Sequence, residues 1–164
     1  MDAIVAVYSD WGIGDGTTQP VVLKADRRHF RELTAGAAVI VGRKTLEDFP
    51  GGKPLPGRRN IVVSRQALVI PGAEVAHSVE EALRLAASSE KCLVIGGAGI
   101  FHQFFPYLDR VFLTKIALAP PSTAFFPDLD ASDDWFCRDA GPVEEENSVQ
   151  YQFCTYIRRK KEDL

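Results

Sequence analysis

The sequence predicts an α/β fold: a three-layer sandwich with a mostly parallel central sheet and an antiparallel C-terminal edge hairpin. Short apolar runs rich in β-branched residues recur at residues 3–8, 37–41, 61–63 and 92–95, and helix-period segments separate them. That is the pattern of parallel strands buried on both faces. Residues 149–157 instead alternate polar and apolar, which suits an antiparallel hairpin on the sheet edge. No repeat, low-complexity tract or linker divides the chain, so residues 1–164 read as a single domain.

The totals narrow the function classes. A chain of 164 residues with 46% apolar and 25% charged residues is built like an ordinary soluble enzyme or binding domain. A net charge of -3 gives no nucleic-acid or membrane signal. The apolar runs are too short to span a bilayer, and the start of the chain lacks a basic signal-peptide region. Cys92, Cys137 and Cys154 are odd in number, widely spaced and set in apolar strand-like segments. They read as reduced core cysteines of a cytoplasmic protein, and no metal site is expected.

In chain order, the first strand runs into a glycine-rich loop from Ser9 to Pro20. Its Gly12, Gly14 and Gly16 lack the spacing of a dinucleotide fingerprint. Residues 24–34 form a helix in which Leu23, Asp26, Phe30 and Leu33 share one face. A carboxylate on an apolar face is costly unless partnered. Asp26 therefore pairs with a basic neighbour, serves as an N-terminal helix charge favoured by the dipole, or awaits a cationic ligand group. The second strand ends in Gly42, Arg43, Lys44 and Thr45, where a helix opens; helix amides and basic side chains there suit a phosphate. A Pro/Gly loop over residues 49–60 positions Arg58. The third strand ends in Ser64 and Arg65, and a short strand at residues 74–76 leads through His77. A capping box of Ser78 with Glu81 starts a helix reaching about residue 88. The strand at 92–95 ends in Gly96, Gly97, Ala98 and Gly99, a turn that lets a ligand approach the backbone, with a helix from Ile100 through Phe101 to residue 105. A strand at 110–118 carries the lone hydroxyl Thr114. Residues 122–126 read as a short strand, and residues 135–137 with 149–157 as the closing pair. Ligands of such sheets bind beyond the carboxyl ends of the strands. Several basic groups and two helix starts gather there, which implies a ligand with several phosphates.

Taken together and in this order, these segments resemble the dihydrofolate reductase family over residues 3–158. The resemblance rests on Gly12, Ile13 and Gly14; Asp26 with Phe30; residues 39–45; residues 54–60; residues 94–101; Leu113 with Thr114; and Phe126 with Pro127. It implies hydride transfer from NADPH to the pteridine ring of 7,8-dihydrofolate. Asp26 then binds the pteridine 2-amino group and adjacent nitrogen and promotes ring protonation through a water, and Thr114 hydrogen-bonds that carboxylate. Phe30 and Phe49 match the substrate walls, Ile4, Val5 and Ile95 the pteridine end, and Arg58 the group that grips the glutamate α-carboxylate. Ala6, Ile13, Gly14 and Ile95 match the nicotinamide half. Gly42, Arg43, Lys44, Thr45, Ser64, Arg65, His77, Gly96, Gly97, Ala98, Gly99, Ile100 and Phe101 match the rest of the cofactor site. A cis peptide is expected between Gly96 and Gly97. Several basic residues with no acid at the ribose favour NADPH over NADH. The expected partners are small molecules, with no nucleic acid or membrane, and the expected state is a monomer.

The chain departs from the family pattern at Val21, where a tryptophan is usual, and at Gln19 and Arg27, where apolar residues are usual. Phe101 replaces a frequent tyrosine, and Pro50 with Gly51 look inserted. Two other functions remain open: the related NADPH-dependent pyrimidine reductase of riboflavin synthesis, and a non-catalytic NADP-binding protein. Asp26 with Phe30, and Arg58 after its Pro/Gly loop, speak against the first.

Overall fold

Parallel strands need long crossovers, and helices supply them here. The computed structural model describes residues 1–15 and 20–160; Gln19 and the extreme C-terminus lie outside it. Chain order is β1 (Asp2–Tyr8), α1 (Lys24–Thr34), β2 (Ala38–Gly42), α2 (Arg43–Glu47), β3 (Arg59–Val63), β4 (Ala73–Ala76), α3 (Val79–Ala86), β5 (Cys92–Gly96), α4 (Ala98–Phe104), β6 (Arg110–Ile116), β7 (Trp135–Ala140), β8 (Glu144–Glu146) and β9 (Val149–Arg158). The strands form one sheet in the order β4-β3-β2-β5-β1-β6-β9-β7, and β8 pairs with β9. All pairings from β4 to β6 are parallel, and β9 runs antiparallel to β6, β7 and β8.

Successive strand residues face opposite ways and so build two cores. Ala3, Val5 and Val7 of β1 pack with Ala82 and Ala86 of α3 and with Phe101 and Phe104 of α4. Ile4 faces the other side, with Leu93, Phe30 and Leu33. Tyr8 joins Leu23 on that α1 side, and Leu46 of α2 covers Val41 and Val62. The result is the expected three layers.

Some details differ from expectation. Residues 122–126 form no regular strand: they carry an isolated bridge, Gly12 to Phe125, with backbone hydrogen bonds to Trp11, Ile13 and Gly14 around it. The antiparallel C-terminal pair does sit at the sheet edge as expected, with β9 lying between β6 and β7. The actual edge is β7, whose residues are mostly exposed. Cys137 is exposed on that edge rather than in the core; Cys92 is half-buried and Cys154 buried, and all three are free. α3 stops at Ala86, whereas α4 starts earlier than expected, at Ala98. The capping box also shifts by one residue. Ser78 accepts the Glu81 amide as expected, but the Glu81 carboxylate accepts the His77 amide instead of that of Ser78.

Among the described residues no helix is long and apolar enough to cross a membrane. Nor does any group of three or more His, Cys, Asp or Glu among them have a metal-holding arrangement.

Candidate active site

α1 sets the position of Asp26, yet it has no cap of its own. Leu23 stands at the N-cap and offers no side-chain acceptor. The Glu146 carboxylate of β8 takes over, accepting the Lys24 amide at 2.7 Å and the Ala25 amide at 3.0 Å. A carboxylate at this end satisfies orphan amides and complements the helix dipole. Nothing in the sequence around α1 signals this role for Glu146, because it is tertiary.

Asp26, in the first turn, faces the sheet. Its Oδ1 accepts the Thr114 hydroxyl of β6 at 2.7 Å. Among the described residues no basic side chain forms an ion pair with it, so the salt-bridge alternative does not hold. Burial pushes the Asp26 carboxyl above the ordinary carboxylate range; the Thr114 hydrogen bond and His29 pull it back in part, and Glu146 pushes it up again. Such a carboxyl retains a proton more readily than a surface acid.

Asp26 lines a cavity of about 310 Å³ with Ile4, Val5, Ala6, Ile13, Arg27, Phe30, Thr45, Phe49, Ile95, Gly96, Gly97 and Phe101. A largely apolar cleft with a few polar side chains is the usual form of a small-molecule site. Arg58 stands beyond this lining, with its guanidinium carbon 6.0 Å from the centre of the Phe30 ring. Its Nε is buried without a hydrogen-bond partner. Desolvation, then the nearby Arg31 charge, weakens its hold on its proton. An anion would relieve both costs. The buried Asn60 fixes the loop that carries Arg58: its Oδ1 accepts the Leu55 amide, and its Nδ2 donates to the Leu55 and Arg58 carbonyls.

A second cavity of about 560 Å³ adjoins the first and is lined by Asp15, Gly42, Arg43, Lys44, Thr45, Val63, Ser64, Arg65, Gln66, Gly97, Ala98, Gly99, Ile100 and Gln103. Thr45 and Gly97 line both. Gly42 permits a close approach here, because a Cβ at this position would lie 2.9 Å from Ile100 Cγ1. The Gly96–Gly97 peptide is cis. Thr45 Oγ1 is buried with no partner. An orphaned hydroxyl, glycine amides and three basic side chains around one hollow fit the phosphates of a dinucleotide. The Arg43 guanidinium meanwhile contacts Glu47 at 3.0 Å and also Gln66.

Some expected residues stand apart from these linings. His77 is exposed, with Nδ1 3.0 Å from the Ser64 carbonyl oxygen. Gly14, at φ 70°, accepts the Thr123 and Ala124 amides on its carbonyl, which pins the first loop to residues 122–124. Val21, in the tryptophan position, packs in the cluster of Tyr8 and Leu23 and donates its amide to the Tyr8 hydroxyl. Asp15, Gln66 and Gln103 line the second cavity without any sequence signal. A separate hollow of about 260 Å³ lies against Trp11, Lys115 and Asp130, but that charge pair is already closed at 2.8 Å.

The family model for dihydrofolate reductase matches residues 1–158. A dihydrofolate reductase of Neisseria meningitidis serogroup B is 40% identical over 159 residues, covering 94% of this chain and 96% of the relative. One from Bacillus subtilis is 36% identical over 159 residues, covering 95% and 93%. The solved dihydrofolate reductase of Enterococcus faecalis, complexed with NADP(H) and RAB-propyl, superposes with a TM-score of 0.84 at 32% identity, over 97% of this chain and 96% of that one. A fold, two adjoining cavities and three relatives thus agree: the chain belongs to the dihydrofolate reductase family.

Proposed function

We propose that the adjoining cavities form one active site, which reduces 7,8-dihydrofolate to tetrahydrofolate with NADPH. The observation that carries this reading is Asp26, held by Thr114 at 2.7 Å in an apolar cleft with no ion-pair partner. Bound NADPH supplies the hydride. Asp26 binds the donor pair of the pteridine, its 2-amino group and neighbouring nitrogen, and orients the ring between Phe30 and Phe49. Its carboxyl favours proton delivery, through a water, to the ring nitrogen beside the carbon that takes the hydride. Ile4, Val5, Phe30, Phe49 and Ile95 keep bulk water from that face. Arg58 takes the α-carboxylate of the substrate's glutamate. Arg43, Lys44, Thr45, Ser64 and Arg65, with the amides of Gly97, Ala98 and Gly99, hold the cofactor phosphates, and His77 borders the 2′-phosphate. Ala6, Ile13, Gly14 and Phe101 border the nicotinamide. The enzyme works as a single-domain cytoplasmic monomer without nucleic-acid or membrane partners.

Purified protein is expected to oxidise NADPH, followed by the loss of its absorbance, only when dihydrofolate is present, and Asp26→Asn to lose most of that rate. No oxidation by the parent, or a parent-like rate in the variant, overturns the reading.

A further inference from the structure

One titratable ring beside Asp26 has no part in the chemistry above. His29 follows Asp26 by three positions on α1, so the two side chains lie on neighbouring positions of one helix surface. The His29 ring is half-buried and stacks on Phe153 of β9, with centroids 4.1 Å apart and planes 23° from parallel. Phe153 is directly opposite Thr114 in the β6–β9 ladder. Thr114 in turn donates to Asp26. These placements link four residues: Asp26 and His29 are one turn apart on the helix, His29 stacks on Phe153, Phe153 stands opposite Thr114 in the ladder, and Thr114 donates to Asp26. Neither His29 nitrogen has a hydrogen-bond partner among the described residues, and the acids that act on its charge are Asp26 and then Glu32.

Resting on the function proposed above, we infer that His29 is a positioning residue for Asp26. The stack fixes the turn that carries the carboxyl, and the charge on the imidazole sets how firmly that carboxyl holds its proton. The remaining charged and titratable neighbours are few. Glu32 and Arg28 stand on α1, Glu146 caps its start from β8, and Tyr151 faces it from β9; β6 contributes only the Thr114 hydroxyl. Glu146 opposes ionisation of Asp26, whereas a charged His29 favours it. Burial in turn lowers the imidazole's proton affinity, and Asp26 restores part of it. One group is pushed up and the other down, so their titrations move towards each other.

Linkage makes the effect reciprocal and testable without turnover. The chain has three histidines, and His29→Phe, which keeps a flat ring on Phe153, identifies the His29 signal by its loss. The pH titration of that signal is followed by NMR in the parent and in Asp26→Asn, both without ligands. Removing the carboxylate is expected to lower the His29 pKa by about one unit, the coupling of two charges one helical turn apart in a partly wet site. The pH profile of kcat/KM for His29→Gln, which removes the charge but not the polarity, is expected to shift its midpoint upward by a similar amount. A merely structural ring would change the height of that profile and not its midpoint. A His29 titration that is unchanged in Asp26→Asn overturns the inference. If the NMR shift appears but NADPH oxidation with dihydrofolate does not, the coupling stands and the function assigned to the site is wrong.

Discussion

The two ends of the proposed active site handle charge in opposite ways. At the substrate end a single carboxyl, Asp26, stands among apolar side chains with one hydroxyl partner. At the cofactor end Arg43, Lys44 and Arg65 reach in from partly or fully exposed positions, and one of them is already shared with Glu47 and Gln66. A charge in an apolar cleft acts strongly and alone, whereas exposed charges act weakly and together. The substrate end is therefore intolerant of single changes, and the cofactor end is not.

The sharpest way to break this contrast is Asp26→Asn. The amide oxygen can still accept from Thr114, but the proton-linked role is lost. kcat/KM at neutral pH is expected to fall about 10²- to 10⁴-fold, the usual contribution of a positioned acid or base. The same substitution bears on stability. The folded-state pKa of Asp26 lies above its unfolded value because burial disfavours the charge. Its contribution is thus most favourable in acid, below the ordinary carboxyl pKa of about 4, and is lost as pH rises through the folded pKa. Asp26→Asn should therefore melt higher than the parent at pH 7 and lose that advantage towards pH 4, as thermal denaturation at the two pH values will report. In the parent, kcat/KM should decline as pH rises through the same folded pKa.

Arg58→Gln comes next. It removes a charged hydrogen-bond donor worth about 1.5–3 kcal/mol, so KM for dihydrofolate should rise roughly tenfold to a hundredfold, with a smaller change in kcat. At the other end, Gly42→Ala is a steric test. The new Cβ would press on Ile100 Cγ1 at 2.9 Å, and overpacking of this kind costs about 1–3 kcal/mol. Chemical denaturation should detect that loss, together with weaker NADPH binding. The smallest effect is expected of Arg65→Gln, where an exposed charge is worth about 0.2–1 kcal/mol. NADPH affinity should fall only about two- to fivefold, and the gap should close as salt is raised. A collapse of cofactor binding in this variant would refute the shared-charge picture.

The legibility of the sequence follows the same divide between local and tertiary causes. α1 reads correctly over residues 24–34 because its periodicity is local, and the parallel strands read correctly because both faces are buried. β8 was invisible: Glu144, Glu145 and Glu146 form no apolar pattern, and only pairing with β9 makes them a strand. Residues 122–126 have strand-like composition, but they pair irregularly with the loop at residues 11–14 and not with a strand of the sheet. In the site, Asp26 was legible because a carboxylate on an apolar face is anomalous in itself. Asn60, Glu146 and Gln66 were not, because each looks like an ordinary polar residue until the fold supplies its partner.

The cap on α1 also has a bearing on when the site can exist. Glu146 is about 120 positions from the amides it accepts (separations of 122 and 121). β9, which backs Thr114, is the last strand made. Loop closure over such spans is paid before any contact rewards it, so contacts of this separation form late. A growing chain can assemble the β1–β5 region early and yet lack both the cap and the backing strand of its acid. The active site is in this sense a checkpoint on completion: a chain truncated before residue 146 keeps Asp26 and Thr114 but lacks the cap on α1 and the strand that backs Thr114.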